Sequence, residues 1–241
     1  MLNITELKKS LRIEAKRFRE SLDKDEKRLK DELIFNKLVS LKEFKNAKTI
    51  LCYYSTEIEV DTLKFIDFAL KIGKKVALPK CVNENGDMRF YFINSTDSLV
   101  DGFFGIKEPS SDSEEYVENS DSDICLVPAL MIDESGYRLG YGKGYYDKFL
   151  IDFKGIKCVL CYNENVVEKL PIYESFDVKS DVSAFGITVV NIHTVIHTAA
   201  DGTGIKVKLF FDIAVGYINI KVHNAQIFDL MSIGAGCQVG K

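Results

Sequence analysis

Between residues 49 and 92 the chain alternates apolar strands with a helix, and that order narrows the fold more than any other feature. Thr49-Ile50-Leu51-Cys52-Tyr53-Tyr54 is an apolar run of strand length. Asp61 then opens and caps a helical pattern through Leu63, Ile66, Phe68 and Leu70, closed by Gly73. Val76-Ala77-Leu78 begins a second strand, and the turn Asn83 to Asp87 leads into a third, Met88 to Phe92. Apolar strands alternating with a helix argue for an α/β layer fold with a largely parallel sheet.

The flanking segments extend this plan. Thr5 to Ser21 and Asp23 to Leu41 carry aliphatics at three- and four-residue spacing, as amphipathic helices do. Ile124 to Pro128 reads as a further strand, Tyr145 to Leu150 as the start of a helix, and Phe185 to Val190 as a last strand. Ser110 to Asp123, acidic and serine-rich, reads as a solvated loop. From about Asn191 charges thin out and β-branched residues rise, with Ile205 to Phe211 and Val215 to Val222 as strands. The expected division is a domain over 1–190 and a β-rich C-terminal extension over 191–241.

A hydrophobic fraction of 46% with 28% charged residues is ordinary for a chain that buries a core. The net charge of -4 gives no general attraction to nucleic acid or to anionic membrane. Leu2 to Glu20 mixes charge with aliphatics, so neither a leader nor a membrane span is expected there, and the cytoplasm is the expected location. The six cysteines are scattered through apolar runs, as buried free thiols would be. Cys158 and Cys161 form a C-x-x-C, but on a strand they point to opposite faces. His193 and His197 are four apart in a strand-like segment without the H-E-x-x-H pattern, which is weak support for a metal pair.

Chemistry concentrates in Arg138-Leu139-Gly140-Tyr141-Gly142-Lys143-Gly144-Tyr145-Tyr146-Asp147. Alternate glycines let the backbone come close to a ligand, two cations bracket them, and Asp147 adds a carboxylate. Together these suggest a phosphate cradle with a place for a metal, set beyond a strand's carboxyl end. Lys8 and Arg12 share a helix face and either join in holding phosphate or form a solvated basic face. Glu57, Glu59 and Asp61 follow a strand end, and Glu57 is the leading ligand candidate. Glu174, Asp177 and Asp181 form an acidic edge, serving as turn and cap residues or sharing Mg²⁺ with Asp147.

The glycine run, preceded by Lys8-Lys9-Ser10-Leu11-Arg12 and followed by Leu170-Pro171, Glu174, Asp177 and Asp181, resembles the 5-formyltetrahydrofolate cyclo-ligase family. Glu57-Ile58-Glu59, Phe104 to Pro109 and Val127-Pro128-Ala129 fall in the expected order, so the resemblance covers roughly residues 1 to 190. It implies a three-layer α/β sandwich. The implied reaction turns 5-formyltetrahydrofolate and ATP into 5,10-methenyltetrahydrofolate, ADP and phosphate with Mg²⁺, so the partners are small molecules. Carried over by motif, Lys8, Lys9, Ser10, Leu11 and Arg12, with Arg138, Leu139, Gly140, Tyr141, Gly142, Lys143, Gly144, Tyr145 and Tyr146, would hold ATP. Cys52, Glu57 and Tyr141 to Tyr145 would line the folate pocket, and Asp147 and Asp181 would ligate Mg²⁺. Lys143, Arg138 and Tyr145 would be catalytic. A nucleotide- or folate-binding module without turnover, or a relative of sugar-phosphate isomerases and CoA-transferases, are the competing classes.

Overall fold

The computed structural model describes residues 3–83, 86–102, 105–170 and 178–185, and beyond them the backbone of five strands between 193 and 229. The chain divides into two compact units, Met1–Gly186 and Ile187–Lys241.

Two capped helices open the first unit. Helix α1 (Ile4–Ser21) starts at Asn3, whose side chain accepts the Thr5 N–H, and α2 (Lys24–Ser40) starts at Asp23, which accepts the Glu26 N–H at 2.8 Å. Next come α3 (Lys42–Asn46), β1 (Thr49–Leu51), α4 (Leu63–Lys71), β2 (Lys75–Cys81) and β3 (Met88–Ile93). The N-cap of α4 is Thr62 rather than Asp61, which stands one residue earlier and whose carboxylate accepts the Leu63 N–H at 2.9 Å. Two short strands, β4 (Val100–Asp101) and β5 (Lys107–Glu108), pair with each other. Then follow β6 (Ile124–Pro128), β7 (Met131–Asp133), β8 (Arg138–Leu139), α5 (Tyr145–Asp152), β9 (Ile156–Cys161), β10 (Val166–Val167) and β11 (Val182–Phe185).

Six strands form the central sheet in the order β11-β9-β6-β1-β2-β3. All pairs are parallel except β2 with β3. Side chains alternate between its faces. Ile50, Val76, Leu78, Ile124, Leu126, Cys158 and Leu160 meet α2, α3 and α4 through Ile34, Leu38, Phe44, Phe65 and Ile66. Leu51, Ala77, Cys125, Val127, Val159 and Cys161 meet Leu150 of α5 and Phe153 on the other face. Each large side chain buried this way stabilises the fold by about 1.5–3 kcal/mol. The C-x-x-C cysteines do part to opposite faces, and neither is in a disulfide.

The crossover β1–α4–β2 steps outward in one direction and β6–α5–β9 in the other. Parallel crossovers are right-handed, so opposite steps put α4 and α5 on opposite faces of the sheet. The order therefore reverses between β1 and β6. A small sheet, β10-β7-β8, lies under α1, where Leu7, Leu11 and Ala15 pack on Leu130, Met131 and Leu139.

The acidic stretch after Ser110 is more than a solvated loop. Tyr116 is buried against Phe90 and Val127, and its hydroxyl donates to the buried Asp123 at 2.6 Å.

In the second unit, β12 (His193–Thr198), β13 (Ile205–Phe210) and β16 (Ile227–Asp229) form an antiparallel sheet. Between them in sequence β14 (Asp212–Val215) pairs with β15 (Ile218–Lys221), so of the expected strand from Val215 to Val222 the described residues place Val215 at the end of β14 and the rest in β15. His193 and His197 lie on β12; their side chains are outside the described residues. No described helix is long and apolar enough to cross a membrane.

Candidate active site at the carboxyl ends of the strands

A cavity of about 690 Å³ opens where the strand order reverses. Ligands in open α/β sheets settle outside the carboxyl ends of strands at such a reversal. Here Tyr53 and Tyr54 follow β1, Pro79 and Cys81 end β2, and Pro128 ends β6; all five line the cavity. One side is closed by α1, whose Thr5, Lys8, Arg12 and Lys16 recur every three or four residues on one helical face. Another side is the segment Gly140 to Asp147.

The two sequence motifs are joined directly. Arg12 Nε donates to the Gly140 carbonyl at 2.9 Å. Gly142 has φ +98°, and a Cβ there would stand 3.1 Å from the Arg12 guanidinium carbon. Gly144, at φ 73°, sits in the left-handed region and forms the N-cap of α5. The first turn of α5, Tyr145 to Asp147, lines the cavity, so the positive end of that helix faces it. Among the described residues six lysines and arginines against three acids line the cavity, a balance that suits a polyanion.

Arg138 is largely engaged already. Its Nη2 donates to Asp147 at 2.7 Å and its Nη1 to the Val178 carbonyl at 2.8 Å, with only 4% of the side chain exposed. The Tyr145 hydroxyl donates to the Asn83 carbonyl at 2.9 Å, pinning the glycine segment to the β2–β3 turn.

At the floor, Glu59 is 8% exposed and accepts the Thr56 N–H at 2.8 Å and the Thr56 hydroxyl at 2.9 Å. The Tyr141 hydroxyl faces Glu59 and Arg19. Its pKa is raised, chiefly by burial and then by the Glu59 charge, with Arg19 opposing. Burial likewise raises the pKa of Tyr53 and of Tyr146. These phenols are therefore neutral donors near pH 7. Arg19 itself, on the buried face of α1, donates to the Ala129 and Leu130 carbonyls.

Several expected site residues lie elsewhere. Cys52 is fully buried on the α4 face of the sheet and does not line the cavity. Glu57 is exposed and lines a separate hollow of about 450 Å³ beside α2; Glu59, two residues on, is the acid that reaches the cavity. Asp181 accepts the Lys157 N–H at 2.8 Å and pairs with Lys157 Nζ at 3.5 Å, at the amino end of β9. The structure thus does not bring it to Asp147. Lys9 and Ser10 are exposed on α1 outside the lining, and Leu11 and Leu139 pack beneath α1. Glu174 and Asp177 lie outside the described residues.

Lys16 and Glu108 line the cavity and Arg19 lies beside it, and motif reading gave none of the three a role. A long cation on an amphipathic helix reads as solvated. Only the helical phase running on from Lys8 and Arg12 to Lys16 marks it in the sequence.

The model of the 5-formyltetrahydrofolate cyclo-ligase family matches residues 4–185. The chain is 34% identical over 123 residues to a probable 5-formyltetrahydrofolate cyclo-ligase of Schizosaccharomyces pombe, a match spanning 50% of this chain and 60% of that protein. To the probable 5-formyltetrahydrofolate cyclo-ligase of Caenorhabditis elegans it is 30% identical over 193 residues, spanning 75% of this chain and 93% of the relative. Among solved structures, 5,10-methenyltetrahydrofolate synthetase of Aquifex aeolicus is similar with a TM-score of 0.65 at 37% identity, covering 73% of this chain and 88% of that one. The family match takes in α1, the whole central sheet and the glycine segment, and on that ground the chain belongs to the 5-formyltetrahydrofolate cyclo-ligase family.

Proposed function

We propose that this chain closes 5-formyltetrahydrofolate to 5,10-methenyltetrahydrofolate with ATP and Mg²⁺, releasing ADP and phosphate. The observation that carries the reading is the Arg12–Gly140 bond at 2.9 Å, which joins the two cationic motifs into one wall of one cavity.

The chemistry explains why such a wall is needed. A formamide oxygen is a poor leaving group. Transfer of the γ-phosphoryl group to it, with departure of ADP, makes an activated iminium phosphate. N10 then attacks the formyl carbon, and the C–O bond to phosphate breaks. Phosphoryl transfer asks the protein for position and charge neutralisation more than for covalent help. Lys8, Arg12 and Lys143, with the N–H groups of the glycine segment and the α5 amino end, supply both. The neutral Tyr141 hydroxyl and Glu59 hold the folate side of the cavity, where confinement brings N10 to the reacting carbon.

Asp147 fits Mg²⁺: it is a carboxylate in the lining, and this ion takes one or two carboxylates beside substrate phosphates. Bound there, the ion would neutralise phosphate charge, with Arg138 fixing the Asp147 carboxylate. Asp181 does not fit the same site, since Lys157 holds its carboxylate outside the cavity.

The test is ATP- and Mg²⁺-dependent growth of methenyltetrahydrofolate's near-ultraviolet absorbance, with ADP release followed in parallel. Binding of both substrates with neither signal would leave a binding module. Lys143→Ala is expected to lower kcat/KM by about a hundredfold with an unchanged circular dichroism spectrum. Near-normal kcat/KM would sink its phosphate role.

A further inference from the structure

Glu108 is a cavity acid that the phosphate and metal chemistry leaves unused. It closes β5, is 6% exposed and lines the cavity. A carboxylate so buried is costly unless hydrogen bonds or a cation satisfy it. Here Oε1 accepts the Cys81 backbone N–H at 3.4 Å, a long bond, with the Cys81 thiol beside it. Among the described residues no cation pairs with it: neighbouring Lys107 holds Asp101 at 2.7 Å, and Lys80 donates to the Pro109 carbonyl at 3.2 Å. Backbone fixes the side chain, since a Cβ on Gly102 would stand 2.4 Å from the Glu108 Cγ and Cδ. A carboxylate has about four acceptor sites, and those beyond the Cys81 N–H and thiol are unused among the described residues.

The neighbours narrow what can fill them. Pro79, Met88 and Ile106 line the same cavity, with Met88 paired across the strands to Cys81 and Ile106 two residues from Glu108. Apolar walls suit a flat ring, and a carboxylate at its edge calls for adjacent N–H donors. Like charge excludes a phosphate from that place.

We infer that Glu108 receives the 2-amino-4-oxopyrimidine edge of the reduced pterin, accepting from N3–H and the 2-amino group side by side. This rests on the folate reading above. The adenine amino edge sets one donor beside a ring acceptor, which a carboxylate repels. A ribose diol matches the carboxylate but gains nothing from the apolar walls.

Titration calorimetry on the full chain tests this with 5-formyltetrahydrofolate, its 2-desamino analogue and ATP. Wild-type protein should bind the 2-desamino analogue about tenfold or more weakly than the parent folate. Glu108→Gln should weaken the parent by a similar factor, leave ATP affinity unchanged, and lose most discrimination against the analogue. The wild-type comparison stands even if the variant folds poorly. Equal binding of folate and analogue by wild type overturns the inference. So does a Glu108→Gln that weakens ATP instead, which would assign the carboxylate to the ribose. Wild-type protein that binds no 5-formyltetrahydrofolate at all overturns the folate reading itself.

Discussion

Glu57 and Glu59 stand two residues apart and face different surroundings. Glu59 is held by Thr56 and opens on the cavity, whereas Glu57 is exposed in the hollow beside α2. Glu59→Gln removes a charged acceptor from a buried cluster, so kcat/KM for 5-formyltetrahydrofolate should fall about tenfold to a hundredfold. Glu57→Gln should change it by no more than about twofold, as surface substitutions do. Equal effects of the two changes in steady-state kinetics would refute this division. The sequence places both acids after a strand but carries no period through a turn, so it cannot say which one turns inward. Cys52 shows the complementary limit. Its strand is legible, but the face it occupies depends on which helices cover the sheet. Glu108 and Arg19 were illegible for a simpler reason: burial of a charge is decided by distant neighbours.

The two opening helices were legible nearly to the residue. The stretches Thr5 to Ser21 and Asp23 to Leu41 became α1 (Ile4–Ser21) and α2 (Lys24–Ser40), with the cap residues Asn3 and Asp23 explaining both starts. The glycine segment was legible as a ligand loop, but its glycines are not equivalent. Gly142 combines φ +98° with the close approach of Arg12, while a Cβ on Gly140 would meet nothing within 4 Å. Gly142→Ala should therefore cost about 1–2 kcal/mol of stability from the left-handed backbone and weaken ATP by displacing Arg12. Gly140→Ala should be nearly neutral. Thermal melts and ATP titrations on the pair check this, and equal behaviour would refute the separate role of Gly142. What the sequence lacked was the turn beyond the motif, where the same face of α1 carries Lys16 to the cavity and Arg19 beneath it.

At the scale of the whole molecule, the sheet encloses ionisable groups that folding keeps neutral. Burial pushes the Cys161 thiol up to about 11 from an ordinary value of 9.0, with Arg19 opposing, and raises Cys52 and Cys125 as well. Above pH 9 the unfolded chain releases these protons while the folded one retains them. Stability is then full below pH 9 and falls as pH rises from there through about 11. The slope is about 1.4 kcal/mol per pH unit for each thiol. Urea midpoints at pH 7, 9 and 10 should show the fall, and Cys161→Ala should make it shallower by the share of one thiol while Cys52 and Cys125 keep theirs. A midpoint that rises over that range would contradict the sign.

The docking of α1 has a consequence for how the chain is made. Its apolar face meets residues 130, 131 and 139, and Arg12 meets Gly140, a sequence separation of 128. At a synthesis rate of about 5–20 residues per second, α1 leaves the ribosome roughly ten seconds before its partners exist. For that interval the helix can neither shield Leu7 and Leu11 nor assemble a nucleotide site. A helix translated well before its partners is thus completed late, and ligand binding reports that the nascent chain has passed the glycine segment.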